Sequence, residues 1–116
     1  MSTVSRRNAP HYVWGDGCDG WHLARSDKLS VIQETIPPGC GEVAHSHERA
    51  EQVFFVLSGV ATLVSRDVVH TLHPEDSFHV PAGVPHEMRN DTDEPIQFLV
   101  ISTPPSHGDR IIKDLT

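Results

Sequence analysis

The residues best equipped for chemistry are His45 and His47, separated only by Ser46, with Glu51 and Gln52 close behind and His86 following Pro81-Ala82-Gly83-Val84-Pro85. Side chains alternate along a β-strand, so two histidines with one residue between them share a face. Neutral imidazoles held side by side on a strand make half of a transition-metal site. A third imidazole, delivered just after a Pro/Gly turn from a neighbouring strand, completes a facial set. The spacing therefore predicts a mononuclear metal centre.

Strands must position such a set, and the chain is written for strands. Nine prolines and eight glycines leave few windows long enough for a helix. Short runs rich in β-branched and aromatic residues recur instead. They predict strands at Tyr12–Trp14, Trp21–Ala24, Leu29–Thr35, Glu42–Ser46, Glu51–Ser58, Val60–Arg66, Val68–Leu72, Ser77–Val80, Glu87–Asn90 and Ile96–Ser102. Turn signals at Pro37-Pro38-Gly39, Ser58-Gly59, Pro74-Glu75-Asp76, Pro81-Ala82-Gly83 and Asn90-Asp91-Thr92-Asp93 punctuate them. Many short, evenly spaced strands read as a sandwich or barrel. In Val53-Phe54-Phe55-Val56-Leu57 both alternating positions are apolar, which predicts burial on both faces. One face lines the barrel; the other is covered by a partner in a homodimer or by the chain's own N-terminal strands. Beyond Ser102, Pro104 and Pro105 forbid an ordinary ladder, so the tail either closes a mouth of the barrel or packs outside it.

Bulk properties narrow the functional classes. A length of 116 residues fits one domain, spanning 1–116 with its core barrel at about 28–103. The composition, 37% hydrophobic and 22% charged, is that of a globular chain. A net charge of −7 argues against a nucleic-acid or anionic-membrane surface, while leaving an anionic small molecule open as a ligand. The first residues carry no apolar run of the kind a signal peptide needs, and Val53–Leu57 is too short to span a bilayer, so the expected compartment is the cytoplasm. Cys18 and Cys40 have neither C-x-x-C nor zinc-ribbon spacing and are expected to be reduced thiols.

With these residues in place, the chain resembles the cupin superfamily. The first cupin motif, G-x5-H-x-H-x3,4-E-x6-G, is met by Gly39, His45, His47 and Gly59; the second, G-x5-P-x-G-x2-H-x3-N, by Pro81, Gly83, His86 and Asn90. Two positions depart from it. Counting back from Gly59 puts Gln52 where the motif has glutamate, although Glu51 satisfies the shorter-spaced form of the ligand part. Glu75 stands where the second motif has glycine. The resemblance includes cupins with a three-His, one-Gln set, and this favours Gln52 over Glu51. Such neutral ligands leave the ion a stronger Lewis acid than a carboxylate would.

The resemblance implies an all-β fold, the double-stranded β-helix or jelly roll. It also implies one divalent transition metal (Fe, Ni, Mn, Zn or Cu) on His45, His47, Gln52 and His86, with open positions for a small-molecule substrate. Two enzyme chemistries follow: a dioxygenase, or an isomerase or lyase acting on a sugar acid or similar oxygenated molecule. A non-catalytic module binding a carbohydrate or small effector is the alternative from another class. His11, His22, His70, His73, His79 and His107 have no motif support. Of the rest, His79 as a proton shuttle or Arg110 as a carboxylate anchor could face the cavity, against an ordinary solvated or packing role for each. Trp14 and Trp21 are expected in the core or a lid. Asn90 is expected to satisfy backbone groups.

Overall fold

The structure is a computed structural model describing residues 1–106 and 108–112, and no helix forms among them. The strands are β1 (His11–Trp14), β2 (Cys18–Arg25), β3 (Ser30–Ile36), β4 (His45–His47), β5 (Glu51–Ser58), β6 (Ala61–Ser65), β7 (Val68–Leu72), β8 (Ser77–Val80), β9 (Glu87–Arg89), β10 (Ile96–Thr103) and β11 (Arg110–Ile112). A six-stranded sheet runs β1-β2-β3-β10-β5-β8, a three-stranded sheet runs β7-β6-β9, and β11 pairs with β4. All pairings are antiparallel. This is the expected jelly roll.

Period-two patterning builds the core. Along β10, Ile96, Phe98, Val100 and Ser102 are buried while the residues between them are half-buried. Their inward neighbours on β5 are Phe54 and Val56, and Ala61, Leu63, Leu72 and Met88 meet them from the small sheet side. Phe54 and Phe98 lie 6.1 Å apart at their ring centres, each fully buried, and each such ring stabilises the barrel by about 2–3 kcal/mol.

Two turns show how the chain is bent into register. Gly59 sits at φ 79°, and a Cβ there would lie 2.6 Å from the Pro95 carbonyl oxygen, so only glycine fits between β5 and β6. Glu75, the residue at the motif's glycine position, adopts φ 73°. The turn thus keeps the left-handed geometry that glycine would supply, held by the Glu75 N–H donating to the Val56 carbonyl at 2.8 Å.

Several expectations need adjusting. No continuous strand runs from Glu42 to Ser46: Gly41 makes an isolated bridge to Arg89, and the ladder resumes only at His45. The outer face of β5 is only half covered, with Val53 and Phe55 intermediate and Leu57 39% exposed. The N-terminal strands do not lie over it; β2 is separated from β5 by β3 and β10 in the same sheet. The tail is also more ordered than its prolines suggested. After Pro104 and Pro105 it re-enters a ladder, pairing Arg110 with His47 and Ile112 with His45. Asp109 secures this return by accepting the backbone N–H groups of Arg49 and Ala50, both at 2.9 Å.

Candidate metal centre

Three histidines converge because two strands present them in register. His45 and His47 alternate on β4, and His45 exchanges backbone hydrogen bonds with His86 at 3.0 and 2.9 Å, setting the two directly opposite. Side chains of such a pair project to the same face. The His86 loop is pinned by the Ser65 hydroxyl donating to the Pro85 carbonyl at 2.7 Å and by the Gly83 N–H donating to the His47 carbonyl at 2.7 Å. The ring centres lie 4.5 Å (His45–His86), 4.9 Å (His45–His47) and 5.9 Å (His47–His86) apart. One nitrogen from each falls within 4.8 Å of the others, a spacing at which the three can hold one ion.

The hydrogen bonds orient these rings. Nδ1 of His45 donates to the Val43 carbonyl at 2.6 Å and Nδ1 of His86 to the Val84 carbonyl at 3.0 Å. Each therefore keeps its Nε2 lone pair free. His86 Nε2 and His47 Nδ1 are buried without a hydrogen-bond partner among the described residues. Buried polar atoms are rarely left so, and a cation is the kind of partner they lack. Burial holds all three imidazoles below their ordinary range, and His45 and His47 titrate only near pH 4, with His86 adding repulsion in each case. They are thus neutral donors at neutral pH.

Gln52 and Glu51 separate by alternation on β5. Gln52 is buried; its Nε2 donates to the Ser102 hydroxyl at 3.0 Å, and its Oε1 has no partner among the described residues. Glu51 is exposed on the opposite face, 3.5 Å from His79 Nε2. His79 therefore lies outside the barrel, and a shuttle role facing the cavity is ruled out for it. Arg110, by contrast, lines the cavity. His107 lies outside the described residues. Asn90 serves the backbone: Nδ2 donates to the Ile36 and Glu94 carbonyls at 3.0 and 2.7 Å.

The cavity measures about 590 Å³, a size suited to a small molecule. Its walls include His45, His47, Gln52, Phe54, Trp14 and Arg110, together with three groups that sequence reasoning missed: Tyr12, Glu34 and Glu42. The Tyr12 hydroxyl donates to Glu34 Oε2 at 3.2 Å, and Glu42 Oε1 accepts the Met88 N–H at 3.0 Å. Burial pushes Glu34 up to about 7 and Glu42 up to about 8, the latter also repelled by Glu34. No short motif marks these residues. The only signal was a glutamate on the inward register of a predicted strand, where an apolar residue belongs.

Comparison with known proteins agrees with this architecture. A model of the cupin domain matches residues 32–102. An uncharacterised protein of Methanocaldococcus jannaschii is 26% identical over 89 residues, covering 76% of this chain and 71% of that protein. H2HPP isomerase of Bacillus subtilis is 29% identical over 84 residues, covering 72% of this chain but only 35% of the isomerase. Among solved structures, the polyketide cyclase RemF from Streptomyces resistomycificus superposes with a TM-score of 0.85 at 20% identity, over all of this chain and 87% of that one.

Proposed function

The chain belongs to the cupin family, and from that premise we propose that it is a metal-dependent enzyme acting on a small oxygenated molecule, with isomerase or lyase chemistry. The observation that carries this reading is the donor set. Three neutral imidazoles converge, and two of them, His45 and His47, line a cavity large enough for a substrate together with buried Gln52, whose Oε1 has no partner among the described residues. In this reading His45, His47, Gln52 and His86 hold one divalent transition metal, which supplies Lewis acidity at its open positions.

The chain's own residues supply the rest. The Val43 and Val84 carbonyls and the Ser102 hydroxyl hold the donors in place, so little ordering is left to occur on binding. Phe54, packed 5.6 Å from His86, and Val100 exclude water from the floor. Arg110 places a cation where an acidic substrate group can meet it. Isomerase or lyase chemistry is favoured over dioxygenation because the cavity carries carboxyls that titrate near neutrality, as proton transfer requires, and because one relative bears an isomerase name. We further propose a homodimer, joined through the half-covered outer face of β5 and β10.

Elemental analysis of protein purified without chelators is the first test, with about one metal ion per chain expected. Anaerobic turnover of uronates by the loaded protein supports isomerase or lyase chemistry. Turnover of diketones that stops without dioxygen transfers the proposal to the dioxygenase class. A chain that stays metal-free and ignores added nickel, iron, zinc and manganese overturns it.

A further inference from the structure

Tyr12, Gly20 and Glu34 lie in one line across three strands. Tyr12 pairs with Gly20, and Gly20 in turn pairs with Glu34. A Cβ on Gly20 would fall 2.3 Å from the Tyr12 ring, so the missing side chain is what lets that ring lie across β2 and reach the Glu34 carboxyl. Glu34 then uses Oε2 for Tyr12 and keeps Oε1 without a hydrogen-bond partner among the described residues. No ion pair among those residues neutralises it. A carboxyl so held, facing a cavity and spared from any structural duty on one oxygen, costs stability and is placed for proton transfer.

We propose that Glu34 is the general base and acid of this cavity, held in position by Tyr12 across Gly20, and that the substrate is a small α-hydroxycarbonyl compound. The inference rests on the enzymatic reading above and adds a residue and a substrate class to it. In the step, the C–H bond beside the carbonyl breaks. Its proton goes to Glu34 Oε1, and its electron pair enters the C–C bond as the carbonyl pair moves onto oxygen. Glu34 returns the proton to the former carbonyl carbon while the hydroxyl proton passes to the former carbonyl oxygen. Carbonyl and hydroxyl exchange places, and no oxidant or reductant is consumed. Two adjacent oxygens on such a substrate also suit an ion with open positions held by His45, His47 and Gln52, which line the same cavity as Glu34.

The base must be ionised to accept the proton, so the rate rises with pH through the Glu34 titration, near 7. Tyr12 donates a hydrogen bond to the carboxylate and holds that titration down. The other titratable or charged groups on the cavity wall are His22 and Arg25 of β2, Glu42, His45 and His47, and Arg110 of β11.

The test follows loss of the α-proton NMR signal of D-glyceraldehyde, hydroxyacetone and D-glucuronate in D2O with the nickel- or manganese-loaded protein. The wild-type protein is expected to exchange at least one of them. Glu34→Gln should slow exchange by about 100-fold or more, with Glu34→Asp recovering part of it. Tyr12→Phe should move the acidic limb of the pH profile to higher pH, a readout that a merely structural tyrosine would leave unmoved. Should Glu34→Gln fail to fold, the Tyr12→Phe limb decides. Exchange at the wild-type rate in Glu34→Gln, an unmoved limb in Tyr12→Phe, or a wild-type protein inert towards all three probes overturns the proposal. Metal content, measured on the same samples, tells such a failure apart from failure of the metal centre itself.

Discussion

Gln52 and Glu51 are neighbours in sequence and sit on opposite sides of a sheet, which makes them a sharp test of the metal centre. Gln52→Leu removes a buried oxygen that has no partner among the described residues and is expected to weaken metal binding about tenfold or more. Glu51→Gln changes an exposed side chain paired, among the described residues, with His79, and should leave affinity within about twofold. Ser102→Ala removes the acceptor that fixes Gln52 Nε2 and should fall between them. Competitive titration against a chromophoric chelator ranks the three; loss in Glu51→Gln with retention in Gln52→Leu reverses the assignment. The histidines were legible in the sequence because one local rule, alternation on a strand, places two of them, and a Pro/Gly turn delivers the third. The Tyr12–Glu34 pair was not legible. Its geometry depends on an absent side chain at Gly20, seen only once β1, β2 and β3 are in register.

At the scale of elements, the turns carry the information that strand patterning lacks. Gly59 and Glu75 both hold positive φ, but their surroundings differ. Gly59→Ala meets both the left-handed penalty and the Pro95 carbonyl, so it should destabilise by about 2 kcal/mol or more. Glu75→Gly relieves a strained non-glycine residue while adding freedom to the unfolded chain, and should stabilise by about 0.5 kcal/mol. Chemical denaturation of the two variants checks both signs. Strands β5, β7 and β8 were legible to the residue because each is a β-branched or aromatic run closed by a strong turn signal. Strand β11 was not, since two prolines precede it and its order comes from distant partners: the β4 backbone and the loop amides gripped by Asp109.

For the whole molecule, the outer face and the buried charges make separate predictions. Leu99 pairs with Phe55 and Ile101 with Val53, giving a continuous half-covered apolar strip on β5 and β10. Light scattering at micromolar concentration should return the dimer mass, and Phe55→Lys should return the monomer mass. The pH dependence of stability in the metal-free protein follows from two opposed sets of groups. Glu34 and Glu42 hold protons more tightly folded than unfolded, so their contribution is complete below about pH 4.5 and is lost as pH rises through about 7 and 8. His45 and His47 hold protons less tightly when folded, so their contribution is complete above the unfolded imidazole range and is lost as pH falls towards about 4. Between about pH 4.5 and 6.5 the two trends offset each other. Above pH 6.5 the unfolded imidazoles give up their remaining protons, and of these groups the carboxyls dominate the change. Stability should therefore fall by on the order of 1 kcal/mol between about pH 6.5 and 8. A Glu34→Gln, Glu42→Gln double variant should show no such decline over that interval. Thermal unfolding across the range measures this directly, and an equal alkaline decline in the double variant would place its origin elsewhere than in these two carboxyls.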